Sequence, residues 1–145
     1  MAYEGAHYAL TVEQRRFLLA QEDDEARRQY VAEGIADGCA DDLKIELEQA
    51  WDAIHRCLTG QPASRGDLDE NAGEAPLNLC IMGGRNYYDG DDYVLKMLET
   101  HEVREVARAI AGIDKVSLSE LYHHHCNGAF DEYGDDDCEY TWRHF

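Results

Sequence analysis

The sequence predicts an α+β fold, a mostly helical single domain with a small sheet. Apolar residues recur every three or four positions along two stretches, which is typical of amphipathic helices. Two shorter segments, residues 4–10 and 93–98, are instead interpreted as strands. A chain of 145 residues has the size of one domain and can bury a core without disulfides or metals.

The first elements follow from local signals near the N-terminus. Residues 4–10 form a short mixed segment that we interpret as a strand. Thr11 and Gln14 have the spacing of a capping box. They predict a helix over residues 12–20.

Two further helices are predicted before residue 60. The first covers residues 22–33, because acidic residues in its first turn interact favourably with the helix dipole. Gly34 and Gly38 are expected to break it. The second covers residues 43–58, where one apolar face has helical spacing and consists of Leu43, Leu47, Trp51, Ile54 and Leu58.

Residues 60–75 are predicted to form a mobile surface loop. They are rich in Gly, Pro, Ser and Asp and show no apolar periodicity. Binding functions often reside in such loops. Pro76 suits the first position of a short helix through Met82, which Gly83 and Gly84 are expected to end.

One strand and two helices are predicted towards the C-terminus. Residues 93–98 follow an Asp-Gly turn signal and alternate as a strand would. Thr100 is expected to cap the next helix. Ser117 and Glu120 form a capping box for a last, short helix that continues to about residue 125. The apolar stripe of the helix after Thr100 consists of Val103, Val106, Ala107, Ile110 and Ile113.

The charge of the chain favours some partners and disfavours others. There are 31 acidic and 13 basic residues, giving a net charge of -18. Nucleic acid and anionic membranes are therefore not expected as partners, because both are bound through Lys and Arg. A basic protein is the partner class that this charge favours, although acidity can also serve solubility alone.

A cytoplasmic location is expected. The N-terminus lacks the basic and apolar regions of a secretory signal, and no stretch has the length of a membrane span. The five cysteines are an odd number without the spacing of a disulfide framework, so reduced thiols fit best.

Three segments resemble a known family. They are the helix with Trp51, Asp52, His55 and the Leu-Thr-Gly ending at Gly60; residues 76–85, with Gly83 and Gly84; and the strand, threonine and helix order of residues 93–113. The chain resembles the YfbM-like bacterial proteins, catalogued as domain of unknown function 1877. The resemblance implies one small α+β domain over residues 1–145, with no established activity and no cofactor. Members of this family usually continue into a further helix and a closing strand, so the chain that ends at Phe145 is expected to be a shortened member or one in which those two elements are dispensable.

Asp52 and His55 are the first candidate site. They are three positions apart on a helix and are able to form an acid-base pair. The favoured interpretation of this segment is structural. In that interpretation Trp51 anchors the core, His55 satisfies a polar partner at the core's edge, and Gly60 ends the helix in a left-handed conformation. We assign no catalytic residue.

The segment His123, His124, His125 and Cys126 suggests a metal site. His123 and Cys126 can share a helix face, with Cys138 and residues 135–137 as further ligands. The spacings that identify zinc sites are missing, however, so we assign no metal ligand. An enzyme or metal-binding domain that uses Asp52, His55 and residues 123–126 is the alternative function.

The favoured function is non-catalytic capture of a basic protein, with an immunity-type inhibitor of a toxin as its sharpest form. Acids interleaved with aromatic rings suit such a partner, because rings supply contact area and carboxylates orient the complex. The oligomeric state is expected to be a monomer, or a homodimer formed through the region of Tyr87, Tyr88 and Tyr93. The predicted partner-binding residues are Asp131, Glu132, Tyr133, Asp135, Asp136, Asp137, Tyr140 and Trp142.

Overall fold

The structure is a computed structural model that describes residues 4–48, 50–63, 72–90 and 94–126. Helices predominate in these residues, and the strands form two small two-stranded sheets. The predicted mostly helical α+β class is therefore confirmed. No helix in these ranges is long and apolar enough to cross a membrane.

The chain divides into two compact units. One comprises Met1–Glu48 and Asn86–Leu95, and the other comprises Gln49–Arg85 and Lys96–Phe145. Each unit has buried apolar side chains of its own. The candidate site described below lies in the second unit.

The first unit contains an antiparallel sheet of β1, Gly5–Tyr8, and β2, Lys44–Glu48. The strand predicted within residues 4–10 is confirmed. The helix predicted from residue 43 is wrong in its first half, because residues 44–48 form β2. The sequence Lys-Ile-Glu-Leu-Glu also alternates with the two-residue period of a strand, and pairing with β1 satisfies its backbone groups.

Helix α1, Val12–Leu19, follows β1 and begins as predicted. Thr11 Oγ1 accepts a 3.1 Å hydrogen bond from the Gln14 N–H, and Gln14 Oε1 accepts a 2.9 Å bond from the Thr11 N–H. This reciprocal pair is the predicted capping box. The helix ends one residue before the predicted end.

The second predicted helix continues further than expected. Helix α2, Asp24–Gln29, runs directly into a π-helix, Tyr30–Ala36. The expected break at Gly34 is wrong, because the π-helix continues through this residue to Ala36. Glycine is needed there because the Tyr30 ring covers the position where a larger residue would carry its Cβ atom. Gly38 lies just after the helical segment ends, as predicted. Among the described residues of the first unit, the buried side chains are Leu18, Val31 and Ile35.

The second unit is built around helix α3, Trp51–Thr59, which packs against a long C-terminal helix. The cluster buried between them contains Ala53 and Cys57 from α3 and Tyr122 from the C-terminal helix. Leu118 and Leu121 pack against this cluster. Where the structure describes this unit, its other helices are α4, Leu79–Met82, α5, Thr100–Ile110, and the helix that packs against α3, which is α6, Lys115–Cys126.

Two predicted caps are wrong by one to three residues. Helix α5 is capped by Glu99, which forms a capping box with Glu102, and Thr100 is the first helical residue. At α6, Asp114 Oδ1 accepts a 2.8 Å hydrogen bond from the Ser117 N–H. Both substitutes are carboxylates, which accept backbone N–H bonds more strongly than a hydroxyl does.

Two paired strands, β3, Arg85–Asp89, and β4, Val94–Met97, follow α4 and precede α5 in the chain. The strand predicted over residues 93–98 is confirmed in β4, whereas β3 was not predicted. Helix α4 is shorter than the predicted helix, because residues 75–78 form a turn. Its end at Gly83 is confirmed, since the Gly83 N–H donates to the Leu79 carbonyl at 3.2 Å.

Candidate functional site at helix α3

Helix α3 has one apolar flank and one flank of polar side chains. Ala53 and Cys57 are buried on the first flank, against α6. The helix ends at Gly60, whose φ of 70° is the predicted left-handed conformation and whose N–H donates to the Arg56 carbonyl at 2.8 Å. The polar flank is therefore held in place by a packed helix with a defined end.

Asp52 uses both carboxylate oxygens. Oδ2 accepts a 2.8 Å hydrogen bond from Arg56 Nε, an ion pair with i to i+4 spacing. Oδ1 accepts a 2.8 Å bond from the backbone N–H of Ala63, eleven residues away. Asp52 therefore holds the chain just after α3 against the helix.

His55 is fully buried and binds the opposite end of the same segment. Its Nε2 lies 3.0 Å from the carbonyl oxygen of Ala72, seventeen residues away. A carbonyl accepts but does not donate, so Nε2 carries the hydrogen in this bond. Burial lowers the pKa of His55, more than the Ala72 bond and Asp52 raise it, and Arg56 lowers it further. The ring is consequently neutral near pH 7.

Thr59 lies where Gly73 passes close to α3. A Cβ atom added at Gly73 would come within 2.5 Å of the Thr59 Cβ, so this passage requires glycine, as does the Gly73 φ of 100°. The Gly73 carbonyl also accepts a 3.1 Å bond from Asn78 Nδ2. Residues 72 and 73 are therefore held by His55, Thr59 and Asn78 together.

Both ends of residues 60–75 are thus attached to one helix. We call the three α3 side chains responsible, Asp52, His55 and Thr59, the α3 clamp. Residues 60–63 and 72–75 lie outside helices and strands, as the loop prediction required, and most are exposed. The clamp fixes the backbone of Ala63 and Ala72 next to α3.

The predicted acid-base pair consists of Asp52 and His55, and both residues belong to the α3 clamp. The two oxygens of Asp52 are bound by Ala63 and Arg56, and His55 Nε2 is bound by Ala72. His55 Nδ1 has no hydrogen-bond partner among the described residues. These hydrogen bonds join Asp52 and His55 to backbone groups and to Arg56, and they do not join the two side chains to each other.

Thr59 and Asn78 belong to this site but were not among the predicted site residues. Their partners are backbone groups of residues 61, 55 and 73, which leave no pattern in side-chain chemistry. The signal that could have identified these two residues is their position next to the ends of the predicted loop. Thr59 is the last residue of the helix before Gly60, and Asn78 lies at the other end of the loop.

The predicted metal segment lies at the end of α6. The His124 and His125 rings contact each other edge to face, with centroids 4.7 Å apart, and His125 lies over Gly60. Within the described ranges no group of three or more His, Cys, Asp or Glu side chains is arranged to hold a metal ion. The Cys126 side chain, Cys138 and residues 135–137 fall outside what the structure describes.

The predicted partner-binding residues, from Asp131 to Trp142, also fall outside the described residues. So does Tyr93 of the predicted homodimer region. Tyr87 and Tyr88 lie half-buried in β3. Of the predicted family motif, Trp51, Asp52, His55 and Gly60 lie in or next to α3, and Gly83 and Gly84 follow α4.

Gly84 explains why two glycines occur together after α4. Its φ is 100°, and an added Cβ atom would collide with the carbonyl of Met97. At Gly83 an added Cβ atom would collide with Leu79. Both positions therefore require glycine for backbone approach, which agrees with a helix stop and tight turn.

Comparison with known proteins assigns the family. No curated protein and no solved structure matches the chain. The model of one protein family, described as a domain of unknown function, matches residues 1–145. This match includes α3, its clamp and the glycine pair after α4, so the chain belongs to the DUF1877 family.

Proposed function

We propose that this protein is a non-catalytic binding module that captures a basic protein partner. The observation that carries the proposal is the net charge of -18. A charge of this size attracts cationic surfaces and accelerates encounter with them. In its sharpest form the module is an immunity-type inhibitor that covers the basic active site of a toxin.

The described part of the first unit supports a largely unneutralised negative surface. Three of its five bases are paired locally, Arg27 with Asp24, Arg28 with Glu25 and Lys44 with Glu46. Many more carboxylates are exposed than the five bases can neutralise. They include Glu4, Glu13, Glu22, Asp23, Glu33, Asp37, Asp41, Asp42 and Glu48.

The α3 clamp supports a non-catalytic role for the family motif. A general base needs an available lone pair, and a general acid a proton, within reach of a substrate. Both carboxylate oxygens of Asp52 instead accept hydrogen bonds, from Ala63 and Arg56, and His55 is fully buried. The most chemically suggestive residues of the chain therefore have structural partners.

The proposed contact residues lie between Asp131 and Trp142. Six acids between residues 131 and 139 are interleaved with Tyr133 and Tyr140, and Trp142 follows. Tyr and Trp anchor protein interfaces, while carboxylates orient a basic partner. Charge alone gives salt-sensitive attraction, so the aromatic residues are what would make binding specific.

The test is affinity capture from the native lysate at low and at moderate salt, with mass spectrometry of the bound proteins. The wild-type chain is compared with a variant in which Asp135, Asp136 and Asp137 are changed to lysine. A matched control changes three exposed acids of the first unit, Glu33, Asp41 and Asp42, to lysine. The two variants alter net charge equally.

A basic protein retained at both salts by the wild type and the control, but lost by the Asp135→Lys, Asp136→Lys, Asp137→Lys variant, supports the proposal. Equal loss from both variants would show attraction by bulk charge without a defined surface. Capture of cationic proteins at low salt alone would contradict a specific partner.

A further inference from the structure

His55 combines complete burial with an unsatisfied ring nitrogen. Nε2 donates to the Ala72 carbonyl, whereas Nδ1 has no hydrogen-bond partner among the described residues. A neutral ring tolerates this arrangement, because Nδ1 then carries a lone pair and leaves no N–H unbonded. The site is therefore built for one protonation state of the imidazole.

Protonation changes this balance without weakening the Ala72 bond itself. An imidazolium still donates from Nε2, but Nδ1 then gains an N–H and the ring gains a charge. A buried charge with an unbonded donor is costly, so the charged ring is more stable in water.

The charged and titratable groups around the ring do not remove this cost. On α3 itself, Asp52 favours the charged ring and Arg56 disfavours it. The elements that contact α3 carry Glu74 next to Ala72, Cys80 on α4, and Glu120 with three histidines on α6. Burial outweighs the contributions of the Ala72 bond and Asp52 and keeps the pKa of His55 below its ordinary value of 6.5.

We propose that His55 is a proton-operated latch on the α3 clamp. The neutral ring holds Ala72 against α3, and protonation releases Ala72 and Gly73 from α3 and opens the ring to water, while α3 remains folded. Ala63 stays attached, because the bond between Asp52 and the Ala63 N–H does not involve His55.

Hydrogen exchange and NMR of the full chain test the latch. The reporter is the backbone N–H of Asn78, which donates to the Glu74 carbonyl at 3.1 Å. This bond lies just after Ala72, the residue that His55 holds. The protection factor of the Asn78 N–H, corrected for intrinsic exchange, is expected to fall about tenfold per pH unit below pH 6.5, since opening takes up one proton. The Gly60 amide, bonded to Arg56, is expected to keep its protection.

Two variants isolate His55 as the cause. His55→Gln keeps an amide donor for Ala72 but does not titrate, so the pH dependence at Asn78 should disappear. His101→Gln removes an exposed histidine of α5 and should leave it unchanged. In the wild type, the ring proton of His55 and the Ala72 amide should shift with one common midpoint.

The latch is overturned if the Asn78 amide shows the same pH dependence in His55→Gln as in the wild type. It is equally overturned if Asn78 and Gly60 lose protection together, which would indicate unfolding of the unit. Should His55→Gln fail to fold, the wild-type titration decides. Separate midpoints for the His55 ring and the Ala72 amide would then contradict the latch.

Discussion

The Asp52 carboxylate on α3 accepts a 2.8 Å hydrogen bond from the backbone N–H of Ala63. The same carboxylate binds Arg56 Nε at 2.8 Å, so its position is fixed by a neighbour one helical turn away. A pre-positioned acceptor loses little side-chain entropy when it binds the backbone. Ala63 is therefore fixed against α3 by Asp52, the residue whose spacing to His55 suggested an acid-base pair.

Replacing Asp52 with alanine should destabilise the protein. The change removes the half-buried acceptor of the Ala63 N–H and one partner of Arg56. Loss of a hydrogen bond to a charged group costs about 1 to 3 kcal/mol. The free energy of unfolding, measured by urea denaturation with circular dichroism, should fall by that amount.

Glu105→Ala is the matched control for Asp52→Ala. Glu105 is an exposed acid on α5, and its removal changes net charge by the same amount. Surface changes of this kind usually alter stability by about 0.5 kcal/mol or less. If the two variants were equally stable, the bond between Asp52 and Ala63 would contribute nothing measurable.

The α3 segment shows how far the sequence predicted this site. The ending at Gly60 was predictable, because a left-handed glycine cap follows from local chemistry. The start was not, since Leu43 and Leu47 fit a helical period while residues 44–48 also fit a strand. The choice depended on pairing with β1, forty residues earlier in the chain, and such long-range pairing has no local signal.

The role of His55 was only partly predictable for the same reason. Its position in the helix indicated a polar partner near the core, but that partner is the carbonyl of Ala72. Any residue type carries a carbonyl, so no side-chain pattern identifies it. The caps at Glu99 and Asp114 differ from this case, because carboxylates near a helix start are visible in sequence and a hydroxyl was favoured over them.

Stability should depend on pH through His55. The folded state lowers the pKa of this ring, chiefly by burial, so the unfolded chain takes up the proton first as pH falls. The contribution of the neutral ring is complete above about pH 6.5 and is lost as pH falls towards the folded pKa. Below that pKa no further loss from His55 is expected.

The measurement is the difference in unfolding free energy between the wild type and His55→Gln from pH 8 to pH 5. The difference should be constant above about pH 7 and should move against the wild type below 6.5, by at most about 1.4 kcal/mol per pH unit. Taking the difference cancels the titration of the many carboxylates. A difference that does not vary with pH would show that His55 titrates alike in both states.

Alanine at Gly60 should destabilise the end of α3. The φ of 70° is unfavourable for a residue with a Cβ atom, and that atom would lie 3.1 Å from the His125 ring. A cost of about 1 to 2 kcal/mol is expected from the backbone conformation. Gly112→Ala is the control, since no atom lies within 4 Å of its added Cβ. In thermal unfolding experiments, the melting temperature of Gly60→Ala should be lower than that of the wild type, and the melting temperature of Gly112→Ala should not.

Gly34→Ala tests why the π-helix of the first unit contains a glycine. Alanine normally favours a helix by about 1 kcal/mol over glycine. Here the added Cβ atom would lie 2.5 Å from two carbons of the Tyr30 ring, so the ring must move. That ring also contacts Phe17, with centroids 4.6 Å apart. Overpacking of this kind costs about 1 to 3 kcal/mol, and a net loss of stability is expected.

The neighbouring Gly38 provides the comparison that separates packing from helix propensity. Its added Cβ would have its nearest neighbour, the Gly34 carbonyl oxygen, at 3.9 Å, so Gly38→Ala should be neutral or stabilising. In Tyr30→Ala the obstructing ring is absent, and Gly34→Ala should then become stabilising. A double-mutant cycle measured by urea unfolding gives the coupling between positions 30 and 34. Zero coupling would mean that the glycine is present for a reason other than the Tyr30 ring.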